Sequence, residues 1–363
     1  MKGPGTGVLP RHLLRELTAS GFIAGVDESF LNPASIDLPL SDEAYRLNSI
    51  FLPAKGEHVR TLLMEVGGWR HDLGIPLEVG VPYLIRVEGE WSLPKQVYGY
   101  ANPKSSTGRL NLFSRLIADN VEMYDTLPSG WTGEMWALVR ADSFPVKLAA
   151  GKAVSQVRLF DGKSFLDSLR MELAIKRHGL IFDRDGQAFS FEDMRAWRDA
   201  FILTLAVGDD FGWECRGTNL PLDYSCEGFY RQEEFFERIA PVKGAFKLRK
   251  GGFYILSTKE RVMVPPYLSA ELRAIDPRLG EFRSHAAGYI DPGWGYGRRG
   301  EARGRPITLE VIPHEDMFVR DGQAIARVRY EHMKEEPDVS YDGAGTSHYT
   351  KQSGPQLSKH FKG

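Results

Sequence analysis

Three things are scarce in this sequence of 363 residues: cysteine, long apolar runs and net charge. With only two cysteines, Cys215 and Cys226, a disulfide framework is excluded, and a reducing cytoplasm is the expected compartment. No apolar run reaches the roughly 18 residues that predict a membrane-spanning helix, and the opening segment lacks the apolar centre of a secretion signal. A formal net charge of -2 argues against a broad nucleic-acid-binding surface. Any anion-binding site is therefore expected to be local.

What is present is the pattern of a β protein. The composition is globular, with 42% hydrophobic and 26% charged residues, and the length favours two domains. Residues 10–22 and 166–178 have helical spacing of their apolar residues. From about residue 34 to 165, and again from about 210 to 335, short alternating apolar runs are separated by Gly, Pro, Asn and Asp. These runs predict many antiparallel strands.

The two β-rich regions also resemble each other. In both halves an alternating run ends on proline, and a glycine-tryptophan turn and further alternating runs follow in the same order. Self-similarity of this length indicates a duplicated β domain. The matched segments are 34–45 with 216–224, 77–94 with 248–265, and 128–160 with 291–330.

Residues 104–109, KSSTGR, place hydroxyls, a glycine and two cations within six residues. This combination indicates a pocket for a phosphate group. The alternative is a polar turn without a ligand. If the segment is half of an active site, the group that performs the chemistry must come from elsewhere in the chain.

Five motifs in a fixed order resemble those of the dCTP deaminase and dUTPase superfamily, and in particular the long two-lobed bacterial dCTP deaminases. The resemblance spans most of the chain. KSSTGR resembles the Ser-Ser-x-x-Arg phosphate and active-site motif of that family. The other motifs are GVLPRHLLRELTASGFI (the start of the family's chains), NPASIDLPL (the first strand), AAGYIDPGW followed by ITLEV (the base-binding hairpin and the strand of the catalytic glutamate) and YTKQSGPQLSK (the C-terminal lid).

The resemblance implies a mainly β fold of two dUTPase-like β-barrel or jelly-roll domains in tandem, with a few short helices. It also implies a homo-oligomer, a dimer or a trimer, because family sites lie between subunits. The expected parts are a first β domain (1–165), a helical or irregular connector (166–209), a second β domain (210–340) and a C-terminal lid or tail (341–363).

The two halves lack complementary parts of the family's site. Ser105 lies eleven residues after Pro94, and Arg109 four further on, whereas the same count from the proline of the second half reaches Asp276 and then a glycine. Conversely, the second half has Glu310 in its strand, where the first half has Leu138. We expect one working site between a first-half and a second-half domain, of one chain or of two. The alternative is that both halves have lost function.

The cysteine spacing bears on how a base could be deaminated. Zinc-dependent base deaminases hold the metal with a histidine and two cysteines of a C-x-x-C motif. Here ten residues separate Cys215 from Cys226, and no H-x-E motif lies nearby. No zinc is therefore expected. A carboxylate would instead take the proton from water and return it to the base.

The resemblance implies three catalytic residues. Glu310 is the expected general acid and base, although on local pattern alone it reads as an outward-facing strand glutamate. Arg109 is expected to orient Glu310 and stabilise its charged form, and Ser105 to hold the attacking water or its neighbour.

The expected substrate-binding residues come from the same motifs. Phosphates are expected to meet Lys104, Ser106 and the tail, with Mg²⁺ bridging the phosphate oxygens. The hairpin is expected to bind the base through Ala287 and Gly288, where small residues let it approach closely. The remaining predicted contacts are Asp291 to the sugar 3′-hydroxyl, Trp294 or Tyr289 against the sugar, where it excludes a 2′-hydroxyl, and Lys351 and Gln352 from the tail.

Together these features predict a cytoplasmic dCTP deaminase that produces dUTP and ammonia and has no nucleic-acid or membrane partner. dTTP inhibits many members of the family, and the sequence does not show whether it inhibits this protein. Two alternatives remain open at this stage. One is a dUTPase, or a bifunctional enzyme that also releases diphosphate. The other is a non-catalytic regulator that binds deoxynucleotides.

Overall fold

The computed structural model describes residues 5–193, 196–197, 200–208, 211–273, 275–283, 288–344, 349 and 352–362. The chain forms two compact units, each discontinuous in sequence. The N-terminal unit consists of 8–163, 217–234 and 358–363, and the C-terminal unit of 1–7, 164–216 and 235–357.

Strands dominate both units, and the predicted mainly β fold with a few short helices is confirmed. The strands of the first part of the chain are β1 Gly7–Val8, β2 Ile23–Ala24, β3 Ile36–Arg46, β4 Trp69–His71, β5 Tyr83–Val87, β6 Glu90–Ser92, β7 Val97–Pro103, β8 Leu112–Ala118, β9 Thr126–Leu127, β10 Thr132–Gly133, β11 Met135–Ala141, β12 Val146–Lys147 and β13 Ala153–Asp161. Those of the second part are β14 Ile181–Phe182, β15 Ala196–Trp197, β16 Ala200–Thr204, β17 Trp213–Cys215, β18 Leu222–Asp223, β19 Phe236–Arg238, β20 Ala245–Leu248, β21 Tyr254–Val262, β22 Leu268–Arg273, β23 Phe282–Arg283, β24 Tyr289–Ile290, β25 Arg305–Pro313, β26 Met317–Arg320 and β27 Ala324–His332.

The helices are short and lie at the starts and edges of the units. They are α1 Arg11–Ala19, α2 Val59–Val66, α3 Ser105–Gly108, α4 Ser168–His178 and α5 Tyr341–Ala344. Helix α4 shows how sequence sets their ends. Asp167 accepts a hydrogen bond from the amide of Arg170 at the N-terminus, and Gly179 ends the helix in the left-handed region at a φ of 76°. Within the described residues, no helix combines the length and the apolar character needed to cross a bilayer.

The strand order of the N-terminal unit is β8-β11-β5-β3-β13-β7-β9. Strand β3 is long and pairs with two strands. Its first half pairs with β13, and its second half, after a register shift, pairs with β5. Residues 217–234 add to this unit through β18, which pairs in parallel with β12.

The C-terminal unit has the same order, divided over two sheets. These are β19-β17-β21-β25-β23 and β15-β16-β27-β22-β24. Strand β16 pairs with β27 as β3 pairs with β13, and β17 pairs with β21, the counterpart of β5. The residues expected to form a connector, 166–209, thus contribute β14 and β16 to these sheets. The counterparts of the two halves of β3 are β16 and β17, not the segment 216–224 that the sequence comparison suggested.

The duplication is visible in the register of the ladders. Gly99 of β7 faces Leu159 of β13, and Ala270 of β22 faces Tyr330 of β27, a shift of 171 positions in both strands. The same shift relates Tyr83 to Tyr254 at the starts of β5 and β21. The repeat inferred from the sequence is therefore a repeat of structure.

Both tyrosines have the same role. The Tyr83 hydroxyl accepts from the amide of Glu78, five residues earlier, and donates to the Glu78 carboxylate at 3.0 Å. The Tyr254 hydroxyl accepts from the amide of Arg249, also five residues earlier, and donates to Glu214 at 3.0 Å. Burial raises the pKa of both phenols, that of Tyr254 to about 12.

Candidate active site

The KSSTGR segment, called here the Ser-Arg turn, forms the short helix α3 directly after β7. Lys104 precedes the helix in extended conformation, and its carbonyl accepts the amides of Thr107 and Gly108. Within the described residues, the amides of Ser105 and Ser106 have no acceptor, as expected for the first turn of a helix. The turn can therefore offer two amides to an anion.

The side chains of the Ser-Arg turn differ in exposure. Ser105 is half-buried, whereas Ser106 and Arg109 are each 4% exposed. Lys104 forms an ion pair with Asp37 of β3. A buried guanidinium is costly unless it meets oppositely charged or polar groups, so the burial of Arg109 marks the turn as more than a surface loop.

Tyr224 packs against this turn from the segment 217–234 of the same unit. Its hydroxyl lies 3.2 Å from Ser106 Oγ and 2.7 Å from Thr107 Oγ1. Burial raises the pKa of the Tyr224 phenol above its ordinary value, so the hydroxyl keeps its proton at neutral pH. The sequence comparison missed Tyr224, because it aligned this segment with a strand of the first half.

The equivalent turn of the C-terminal unit has a similar backbone and different side chains. A single 3₁₀ turn, Pro277–Leu279, follows β22 as α3 follows β7. Asp276, at the position of Ser105, accepts the amide of Arg278 at 3.0 Å and forms an ion pair with its side chain. These hydrogen bonds lower the pKa of Asp276 well below its usual range. A permanent negative charge here repels a polyphosphate.

Glu310 lies in the middle of β25 and is 2% exposed. Its strand neighbours Leu309 and Val311 point into the apolar core, so Glu310 points to the opposite face of the sheet. There it lies opposite Ile255 of β21 and on the same face as Thr308. The local sequence pattern correctly predicts that Glu310 points away from the apolar core, but the side chain is buried and not exposed to solvent.

Leu138 occupies the same place in the N-terminal unit. It lies opposite Leu84 of β5, and Leu84 corresponds to Ile255 by the shift of 171 positions. The ladder therefore supports the predicted equivalence of Leu138 and Glu310. In the N-terminal unit helix α2 covers this face, and Val59 and Leu63 pack with Leu138 in an apolar cluster.

The predicted base-binding hairpin consists of β24 and the turn after it. The carbonyl of Gly288 accepts the amide of Leu272, and the amide of Trp294 donates to Asp291 O at 3.2 Å. Gly293 has a φ of 90°, and a Cβ there would lie 2.6 Å from the side chain of Ser340, so the turn requires glycine. Ala287 lies outside the described residues.

The aromatic residues of the hairpin are held by packing. Tyr289 and Trp294 are each 7% exposed. The Trp294 ring lies 5.1 Å from that of Tyr341, and the Arg305 guanidinium lies over it at 5.4 Å. Arg305 in turn forms a bidentate pair with Asp342 at 2.6 and 2.9 Å. Trp294 therefore belongs to the core of the unit in this structure.

The predicted lid divides between the two units. Gln352 donates to the carbonyl of Pro306 at 2.7 Å, and the amide of Gln356 donates to Thr308 Oγ1 at 3.3 Å. This part of the tail thus follows β25, the strand of Glu310. Lys351 lies outside the described residues.

The last residues of the tail belong to the N-terminal unit. The amides of residues 228–230 donate to the carbonyls of Lys359 and His360, and Lys359 forms an ion pair with Glu227. The end of the tail is therefore fixed to the segment that carries Tyr224.

Metal ligands are a separate question. In the part of the chain that the structure describes, no group of three or more His, Cys, Asp or Glu side chains is arranged to hold a metal ion.

Comparison with known proteins decides the family. The N-terminal domain model of 2′-deoxycytidine 5′-triphosphate deaminase matches residues 5–163, and its C-terminal domain model matches residues 198–361. The chain belongs to the dCTP deaminase family. The predicted resemblance and the predicted enzyme class are thereby confirmed. The two domain models, one on each half of the chain, agree with the predicted duplication.

Individual relatives agree with the family models. A dCTP deaminase of Haloarcula marismortui is 32% identical over 161 residues, which are 43% of this chain and 77% of the relative. One of Halorubrum lacusprofundi is 28% identical over 161 residues, 43% of this chain and 74% of the relative. The crystal structure of 2′-deoxycytidine 5′-triphosphate deaminase from Agrobacterium tumefaciens matches with a TM-score of 0.84 and 31% identity, over 92% of this chain and 97% of that one.

Proposed function

We propose that this member of the family deaminates dCTP hydrolytically to dUTP and ammonia. The observation that carries the proposal is the complementary loss in two structurally equivalent units. The N-terminal unit has the Ser-Arg turn but Leu138 in the strand, and the C-terminal unit has Glu310 in the strand but Asp276 in the turn. We propose that one site combines the turn of the first with the strand and hairpin of the second.

Glu310 is the proposed proton carrier. As a carboxylate it takes one proton from the water that attacks C4 of cytosine and delivers it to N3. It then takes the proton of the new C4 hydroxyl and passes it to the C4 amino group, which leaves as ammonia while the C4 carbonyl forms. Its 2% exposure supports this role, because a largely dry environment allows the pKa of a carboxyl group to be tuned towards the working pH. Arg109 is proposed to orient Glu310, and Ser105 to hold the water.

The phosphates are proposed to bind at the Ser-Arg turn. Donors there are the ammonium group of Lys104 and the amides of Ser105 and Ser106, which have no acceptor among the residues that the structure describes. The Lys104 ion pair with Asp37 would then have to open or be shared. Mg²⁺ is proposed to enter on the triphosphate, and Lys351 and Gln352 of the tail to complete the contacts.

The hairpin is proposed to bind the nucleoside. The backbone of Ala287 and Gly288 would face the edge of the base, and Asp291 would accept from the 3′-hydroxyl. Tyr289 would close against the sugar. Trp294 would stabilise the turn of the hairpin, because its ring packs against that of Tyr341.

Product analysis tests the activity. The protein is incubated with dCTP and Mg²⁺, and the nucleotides are separated. Formation of dUTP with an equal amount of ammonia supports the proposal. Formation of dUMP and diphosphate would instead indicate a dUTPase activity, alone or in addition, and tight binding of dCTP without turnover would indicate a regulator.

A mixing experiment tests whether the site joins two chains. Chains with Arg109→Ala are mixed with chains carrying Glu310→Gln, each inactive alone. Recovered activity places the site between chains of a homo-oligomer, whereas mixed oligomers without activity place it within one chain. Inhibition of the wild-type protein by dTTP is a further prediction, tested by adding dTTP to the same assay.

A further inference from the structure

A hydrogen-bond network lies under the Ser-Arg turn and joins it to residues more than a hundred positions away. Besides Ser106 and Thr107 of the turn, it contains Tyr224, Ser358 and His360. Ser358 Oγ donates to the carbonyl of Ser106 at 2.8 Å, and His360 Nε2 lies 3.0 Å from the carbonyl of Tyr224. All five residues belong to the N-terminal unit and are at most 5% exposed.

The protons of this network can be assigned by elimination. Thr107 Oγ1 donates to the carbonyl of Val154 at 2.8 Å, so its one proton is committed. The Tyr224 hydroxyl has two acceptors within reach, Thr107 Oγ1 at 2.7 Å and the carbonyl of Ala153 at 3.3 Å. The much shorter contact needs the tyrosine proton, because the threonine proton is already used, so Tyr224 donates to Thr107. Ser106 Oγ, 3.2 Å from the Tyr224 oxygen, is then left to donate to it. The chain of donation runs from Ser106 through Tyr224 to Thr107.

This direction has a consequence for ligand binding. As long as the Ser106 hydroxyl donates its one proton to Tyr224, it has none to offer a phosphate oxygen. Ser105, which is half-buried, and the two amides at the start of α3 are not committed in this way.

We propose that Tyr224 is a positioning residue for phosphate binding, which holds the Ser-Arg turn through the inward-facing hydroxyl of Ser106. The phosphates then contact the backbone amides of the turn, not the Ser106 hydroxyl. The inference rests on the proposed function and deepens it. It states that the phosphate-binding turn, which lies in the first half of the sequence, is held in place by Tyr224 from the second half.

The end of the tail belongs to the same support. A carbonyl only accepts, so His360 Nε2 carries a proton and donates to the carbonyl of Tyr224. His360 Nδ1 lies 2.9 Å from Ser358 Oγ, which also contacts the turn. His360 and Ser358 thus hold Tyr224 and Ser106 from the other side.

A double-mutant cycle tests the proposal. Tyr224→Phe and Ser106→Ala, singly and combined, are measured by calorimetric binding of inorganic tripolyphosphate with Mg²⁺ and by KM and kcat for dCTP. Each single change is expected to weaken tripolyphosphate binding about fivefold, the effect of one hydrogen bond. KM for dCTP should rise by a similar factor, and kcat should change little. The double variant should be no worse than either single one, because both remove the same interaction.

The matched control is Tyr98→Phe, which removes another tyrosine hydroxyl of the same unit, bonded to the carbonyl of Gly162 at 3.0 Å. It should leave tripolyphosphate binding unchanged. His360→Gln, which can still donate to the Tyr224 carbonyl, should bind tripolyphosphate more tightly than His360→Ala.

Additive losses in the cycle would overturn the proposal, because they would make Ser106 a ligand on its own. So would a Tyr224→Phe variant that behaves like Tyr98→Phe, or a wild-type protein that binds neither tripolyphosphate nor dCTP. Failure of the proposed function looks different: the wild-type protein binds dCTP without forming dUTP, and the binding cycle still reports on Tyr224.

Discussion

The two units share one set of ladders and turns but differ in the chemistry that these present. In the hairpin after β9, Trp131 N donates to the carbonyl of Pro128 at 3.1 Å; in the hairpin after β24, Trp294 N donates to the carbonyl of Asp291 at 3.2 Å. Proline thus stands where the other unit has the predicted sugar-binding aspartate. Both turns keep a glycine with positive φ before the tryptophan, Gly130 and Gly293, so the backbone is kept while the side chain two positions before the glycine differs.

The sheet face behind these turns differs in the same way. In the N-terminal unit, α2 covers it and Leu138 completes an apolar cluster. In the C-terminal unit, Glu310 and Thr308 lie on it, and the tail follows the strand through Gln356. One duplicated face has become core and the other is available for a polar site. The two units therefore share the strands of this face, whereas only the C-terminal unit has the carboxylate that the proposed reaction requires.

The strongest test of this contrast is Glu310→Gln. We expect a loss of turnover of about 10³-fold or more, because the amide cannot carry the proton, while dCTP binding by calorimetry changes little. Glu237→Gln, on the exposed side of β19, is the control and should keep full activity. Near wild-type turnover in Glu310→Gln would end the proposed mechanism.

Arg109→Ala and Arg278→Ala compare the two turns directly. We expect Arg109→Ala to lower kcat/KM by roughly 10²-fold or more, as for loss of a charged group that stabilises the reacting site. Arg109→Lys should recover only part of this, since lysine lacks the planar guanidinium. Arg278 is exposed and paired with Asp276, so its removal should leave activity unchanged. Equal effects in a steady-state assay would contradict the assignment of one working turn.

The Leu138→Glu variant tests whether a carboxylate in the N-terminal unit can replace Glu310 of the C-terminal unit. The carboxylate would enter the apolar cluster under α2, so we expect the free energy of unfolding to fall by about 3 kcal/mol. It should not restore activity to Glu310→Gln, because Pro128 replaces the aspartate of the hairpin. Leu138→Met, with a similar volume, should cost less than about 1.5 kcal/mol in denaturant titrations.

The smallest expected effect concerns Tyr254 and its counterpart Tyr83. Because the pKa of Tyr254 is raised to about 12 from 10.0, the folded state keeps its proton to higher pH than the unfolded chain. The free energy of unfolding should therefore be insensitive to this group below pH 10 and fall as pH rises from 10 to 12. Tyr254→Phe should flatten that fall in denaturant titrations, and Tyr83→Phe should flatten it less. An unchanged slope in Tyr254→Phe would show that the phenol titrates alike in both states.

Sequence and structure contributed differently to the site. The Ser-Arg turn and the strand of Glu310 could be recognised from their motifs and flanking residues, and Leu138 by counting from the tryptophan of the first half, because motifs and strand patterns are local properties. The role of Tyr224 could not. Its partner Ser106 lies 118 positions away, and no local pattern records a hydrogen bond across that distance.

By itself the sequence determined the β-rich fold, the repeat and the distribution of chemical groups between its copies. Each of these follows from residue order over a few dozen positions. Only the tertiary structure decided that β16 and β17, not 216–224, are the repeated strands, and that residues 217–234 and the tail end join the N-terminal unit. It also decided that Glu310 is buried on the sheet face opposite the apolar core. Such features depend on pairing between segments that are distant in sequence. Several segments could form the same backbone hydrogen bonds, and tertiary packing decides which of them does.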